Sequence, residues 1–157
     1  MSNAIWMITY QLLREREAPY LEWFHEVHVP EKLARPGYSW VSHYRSTTES
    51  TDDGTPLYLA MFGGETTAVF FNPSPAQLAP KQPPETRDMM TCRINSQALI
   101  LTSEWVSAGD GPHNVNEFQV DAEAISLTLC DAAGNEMDFG AWLVQEHLPS
   151  VSGNTIH

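Results

Sequence analysis

The sequence predicts an α+β fold: a four-stranded antiparallel sheet with its helices on one face. Two observations predict it. Segments up to residue 107 follow the order strand, helix, strand, strand, weak helix, strand. The first helical segment also carries apolar residues at three- and four-residue spacing, which gives it one face to bury against a sheet.

The first strand is read at Ile5 to Leu13, a run rich in strand formers, and the charged stretch Arg14-Glu15-Arg16-Glu17 breaks it. From Ala18 to Leu33, Tyr20, Trp23, Phe24, Val27 and Leu33 make the apolar stripe of a helix that Pro30 should end or kink. Pro36-Gly37 is a turn, Tyr38 to Thr47 a second strand, Thr48 to Pro56 a loop and Leu57 to Phe62 a third strand. A short helix at Thr66 to Phe71 runs into a proline-rich stretch, residues 73–84, read as an irregular loop. One or two helical turns at Glu85 to Cys92 and a fourth strand at Gln97 to Val106 complete a ferredoxin-like βαββαβ order. Beyond a polar connection, Ile125 to Cys130 is predicted as a strand, Ala132 to Asn135 as a turn, and Asp138 to Leu148 as a helix with Asp138 its N-cap. Domain organisation is therefore expected as residues 1–107, the sheet domain, and residues 108–157, a linker with an incomplete second repeat.

A chain of 157 residues with 42% hydrophobic content holds one domain with a substantial core. Eight Lys+Arg against 20 Asp+Glu give a formal charge of −12, which argues against nucleic acid as a partner. Two cysteines, Cys92 and Cys130, are too few for a disulfide framework and point to a cytoplasmic location. No apolar run approaches a membrane span, and the start has no basic leader, so no membrane partner is expected.

The two strand–helix segments align without a gap at an offset of 119 residues. Trp23 meets Trp142, His28 meets His147 and Pro30 meets Pro149, while Tyr20 meets Phe139 and Phe24 meets Leu143. Helical periodicity demands only apolar residues, so matched Trp, His and Pro indicate an internal repeat. At this offset residue 157 corresponds to residue 38, so the second repeat is expected to hold one strand and one helix and to pack on the first repeat or on another chain.

Trp23-Phe24-His25-Glu26-Val27-His28-Val29-Pro30, followed by Pro36-Gly37-Tyr38, resembles the first-helix signature of the EthD-like dimeric α/β-barrel proteins. The resemblance covers residues 5–107 in element order and returns at 125–149. It implies two ferredoxin-like sheets packed face to face around a pocket, here in a homodimer. It also implies a pocket-facing catalytic residue at His28, and a small-molecule ligand handled without a cofactor.

The residues themselves offer further candidates. A histidine near a helix end can act as acid or base, or set the local turn by a hydrogen bond; both roles are open to His28. Alternation puts Trp40, Ser42 and Tyr44 on one face of the second strand and Val41, His43 and Arg45 on the other. Tyr44 suits the wall of a pocket for a flat organic ligand, and His43 with Arg45 suits a carboxylate or enolate. Tyr10 and Trp23 are further wall candidates, as are Tyr58 and Trp105. His25 and His28 stand three apart, but no other ligand cluster supports a metal site. No nucleophilic triad or phosphate-binding glycine loop is present. The resulting expectation is a cofactor-independent cyclase, isomerase, lyase or monooxygenase acting on a small aromatic or polyketide-like acid. A non-catalytic ligand-binding or assembly protein is the alternative.

Overall fold

The computed structural model describes residues 3–47, 55–104 and 122–151. Ser2–Thr102 forms one compact unit, and the described residues from Ser103 onward belong to a second.

The first unit is a four-stranded antiparallel sheet, in the spatial order β2-β3-β1-β4. Its strands are β1 (Ala4–Leu12), β2 (Tyr38–Arg45), β3 (Leu57–Gly64) and β4 (Arg93–Thr102). β1 lies at the centre, with Trp6 opposite Phe62 on one side and Ile100 on the other. This is the ferredoxin-like arrangement, and all four expected strands are present, the fourth starting at Arg93, four residues before the expected Gln97, and ending at Thr102. The even-numbered residues of β1 face the helices and join Tyr20, Trp23, Phe24, Tyr58, Ala60 and Phe62 in one core. The opposite face carries Ile5, Met7, Leu59, Met61, Trp40, Tyr44 and Leu99 by the same alternation.

The first helix departs from a regular one in the way that matters most. A 3₁₀ turn at Arg14–Arg16 leads into α1 (Glu17–Trp23), then a π-helical turn (Phe24–His28), then α2 (Val29–Leu33). Pro30 does not end the helix, because it sits in the first turn of α2, where the widened π turn precedes it and its missing N–H is tolerated. The π turn adds one residue to the pitch, so the buried phase moves by one. His28 and Lys32 each have 3% of their surface exposed, whereas Val27 and Leu33, expected on the apolar stripe, are 41% and 43% exposed.

Gly37 closes the α2–β2 turn at φ +86°, a conformation that favours glycine. After β3 comes a 3₁₀ turn at Thr67–Phe70. The proline-rich stretch is more regular than expected. Ser74 and Gln77 form a reciprocal capping box on α3 (Pro75–Leu78), which passes through a 3₁₀ turn into α4 (Pro84–Met90). The prolines near the starts of α3 and α4 occupy positions whose N–H groups have no intrahelical acceptor, so they favour these helices rather than break them.

In the second unit, Ile125 to Cys130 pairs with no strand among the described residues; a run of strand formers without a ladder partner stays irregular. Ala133-Gly134 forms the turn. α5 (Glu136–Trp142) starts at Asn135 rather than Asp138, which lies in its first turn. It continues through a second π turn (Leu143–His147) into α6 (Leu148–Val151). The boundaries of α5 and of this π turn, and the start of α6, fall 119 residues after those of α1, the first π turn and α2. Trp105 and most of the loop at 48–56 lie outside the described residues.

Candidate functional site

A cleft of about 470 Å³ opens between the sheet and its helices, wholly within the first unit. β1 contributes Trp6 and β4 contributes Arg93. The π turn and α2 contribute His28 and Lys32, four residues apart and hence on one helix face. α3, α4 and the segment joining them supply the far wall, including Ala76, Gln82, Arg87 and Met90.

Its electrostatics run against the composition of the chain. Lys32, Arg87 and Arg93 are three of only eight Lys+Arg residues, and among the described residues no Asp or Glu lines the cleft. Elsewhere Arg16 pairs with Asp88, Arg35 with Glu31 and Arg45 with Glu17. None of the three cleft cations is in an ion pair among the described residues.

Lys32 Nζ lies 4.9 Å from the centroid of the Trp6 ring, 5.9 Å from that of Tyr38 and 6.0 Å from that of Phe62. Burial pulls its pKa down to about 8, and Arg35 adds to the effect by repulsion. His28 packs against Trp23, with ring centroids 4.7 Å apart, and against Phe24 and Phe62. Burial, followed by the charges of Lys32, Arg93 and Arg35, drives its pKa down to about 2, so the imidazole is neutral. Its Nδ1 is buried with no hydrogen-bond partner among the described residues. Arg93 donates from Nε to the Tyr20 hydroxyl at 2.6 Å and lays its guanidinium over the Tyr10 ring at 4.7 Å, while its Nη2 is buried without an acceptor. A neutral imidazole beside a buried ammonium and a guanidinium can orient an anionic group and polarise a carbonyl or enolate.

The predicted site residues divide into three places. His28 lines the cleft, and Trp23 backs it. Tyr10, His43 and Arg45 lie outside the cleft lining on the helix-facing side of the sheet, where Tyr10 adjoins the cleft through Arg93. Tyr10 and His43 share a hydrogen bond of 2.8 Å, and His43 Nδ1 lies 3.2 Å from His25 Nε2. Burial lowers the His43 pKa to about 3 and raises that of Tyr10. Arg45 Nε lies 3.6 Å from Glu17, which accepts a hydrogen bond from the Tyr58 hydroxyl. Tyr44 lies on the opposite face of the sheet. Sequence reasoning missed Lys32, Arg87, Arg93 and Trp6. The one available signal was a lysine four residues beyond His28 in an amphipathic helix. Among the described residues, no group of three or more His, Cys, Asp or Glu is placed to hold a metal ion.

No protein-family model matches the chain, and no curated protein matches it. Among solved structures, the fold is similar to that of a dimeric ferredoxin-like protein from an uncultured marine organism. That alignment has a TM-score of 0.50 and 10% identity, and covers 69% of this chain and 95% of the other. A Streptomyces coelicolor monooxygenase from the gene ActVA-Orf6, in complex with Nanaomycin D, aligns at 12% identity over 66% of this chain and 89% of its own, with a TM-score of 0.48. A candidate antibiotic biosynthesis monooxygenase from Bacillus cereus aligns at 15% identity over 69% of this chain and 100% of its own, with a TM-score of 0.46. The first likeness shows the ferredoxin-like fold and nothing about activity. No helix among the described residues is long and apolar enough to cross a membrane.

Proposed function

We propose that this protein is a dimeric α/β-barrel enzyme that converts a small aromatic or polyketide-like acid without a cofactor. One observation carries the reading: a cleft of enzyme-site dimensions holds a neutral histidine and three cations, with no acidic residue in its lining among the described residues. The reactions open to such a site are enolisation, cyclisation, isomerisation and oxygenation of an electron-rich ring. In each of them developing negative charge on oxygen is what Lys32 and Arg93 would stabilise. His28 serves as a neutral hydrogen-bonding group that receives or returns a proton only while a reaction intermediate is charged.

The EthD-like helix signature supports the same reading, because its histidine, His28, is the one that lines the cleft. The recurrence of the α–π–α helix 119 residues later, with Trp142 and His147 rings 4.9 Å apart, supports treating the second unit as a partial copy of the first. Free thiols at Cys92 and Cys130 suit a cytoplasmic setting. Dimerisation is assigned to the sheet face opposite the helices, where Leu99 remains 42% exposed.

The test is incubation with hydroxylated aromatic acids in air with no cofactor added, with products followed by mass spectrometry and oxygen uptake. Turnover by the native chain and its loss in His28→Gln, with ligand still bound, is the expected result. Binding without turnover across the panel would leave a non-catalytic ligand-binding protein.

A further inference from the structure

We propose that the cleft recognises its ligand as an organic anion and that Lys32 Nζ is the counter-charge, with the ligand's flat apolar body lying toward Trp6 and Met90. This rests on the small-molecule reading above and narrows it to a chemical class, an aryl carboxylate or sulfonate.

Taking the Lys32 ammonium out of water, to 3% exposure, carries a desolvation cost that persists after the protein relaxes. The aromatic faces of Trp6, Tyr38 and Phe62 return only part of that cost as cation–π attraction. A carboxylate would normally supply the rest, yet Glu31, the adjacent acid, is held by Arg35 at 2.7 Å. Arg93 adds a second uncompensated charge, because its Nε bond is to a neutral hydroxyl and its Nη2 has no acceptor. Arg87, exposed on α4, brings a further positive charge to the rim without a desolvation cost of its own. In a chain with 20 Asp+Glu, placing the buried Lys32 ammonium and the half-buried Arg93 guanidinium in one cleft, neither in an ion pair among the described residues, is costly in the free protein. An anion of one negative charge in the cleft offsets that cost, and the 470 Å³ volume admits an aromatic body beside it.

Two dyes with the same aryl frame separate charge from shape: 8-anilinonaphthalene-1-sulfonate and its neutral analogue N-phenyl-1-naphthylamine. Fluorescence titration of the native chain is expected to give at least ten-fold tighter binding of the sulfonate. Lys32→Met should abolish that preference while still binding the neutral dye, which also reports that the variant is folded. Lys32→Arg should restore most of it. Equal affinity of the two dyes for the native chain overturns anion recognition and leaves the small-molecule reading intact. A sulfonate preference that survives in Lys32→Met places the anion elsewhere and also overturns the inference. Absence of saturable binding of either dye overturns both readings.

Discussion

The ammonium of Lys32 rests 4.9 Å from the centre of the Trp6 ring, and no carboxylate among the described residues joins it. A buried cation placed in this way costs stability, and the cost has a pH signature. The folded pKa is about 8 against 10.5 for the free side chain. The unfolded chain therefore binds more protons between those values, and the penalty is full below pH 8 and gone above about pH 10.5. At about 1.4 kcal/mol per pH unit it amounts to about 3 kcal/mol. Lys32→Met is expected to raise unfolding stability at pH 7 by 1–3 kcal/mol, on the order set by that shift, with the gain shrinking by pH 10. Urea denaturation at the two pH values measures it, and a destabilised variant at pH 7 would show that the ammonium is well accommodated.

His28 and His43 carry the opposite end of the pH range. Both are neutral, His28 buried and His43 half-buried, with pKa values lowered to about 2 and about 3 from 6.5, so the unfolded chain takes up protons first on acidification. Stability should fall as pH drops below 6.5, by about 2 kcal/mol per histidine at pH 5. Thermal unfolding at pH 7.5 and pH 5 in native protein and His28→Gln tests this. The variant should lose less than the native chain, and parallel curves would mean that His28 accepts its proton without cost.

Gly37 holds φ +86°, and a Cβ there would stand 2.6 Å from Val69 Cγ2. Gly37→Ala combines left-handed strain with a clash, for an expected loss of about 1–3 kcal/mol. Chemical denaturation of the variant is sufficient, and an unchanged midpoint would mean that the turn relaxes freely.

Leu99 sits opposite Met7 on the sheet face away from the helices. A charge there should break a sheet-to-sheet dimer while sparing the fold, because the side chain is already 42% exposed. Light scattering at micromolar concentration is expected to give a dimer for the native chain and a monomer for Leu99→Glu. A native monomer would contradict the proposed assembly.

Element order was readable because it depends on local periods. Alternation marks strands such as Tyr38–Arg45, three- and four-residue spacing marks the helix around Trp23, and Pro36-Gly37 marks the turn between them. His28 was reached through its Trp and Pro neighbours. Lys32 was not, because a constant 3.6-residue pitch points Val27 and Leu33 inward, and only the π turn at Phe24–His28 shifts the buried phase to His28 and Lys32. Arg87 and Arg93 escaped for another reason. They share the cleft lining with Lys32 from more than fifty residues away in sequence, one on α4 and one at the start of β4, a long-range placement that no local period encodes. Ile125 to Cys130 shows the converse: its strand-forming residues form no ladder among the described residues, because pairing depends on a partner strand that no local pattern specifies.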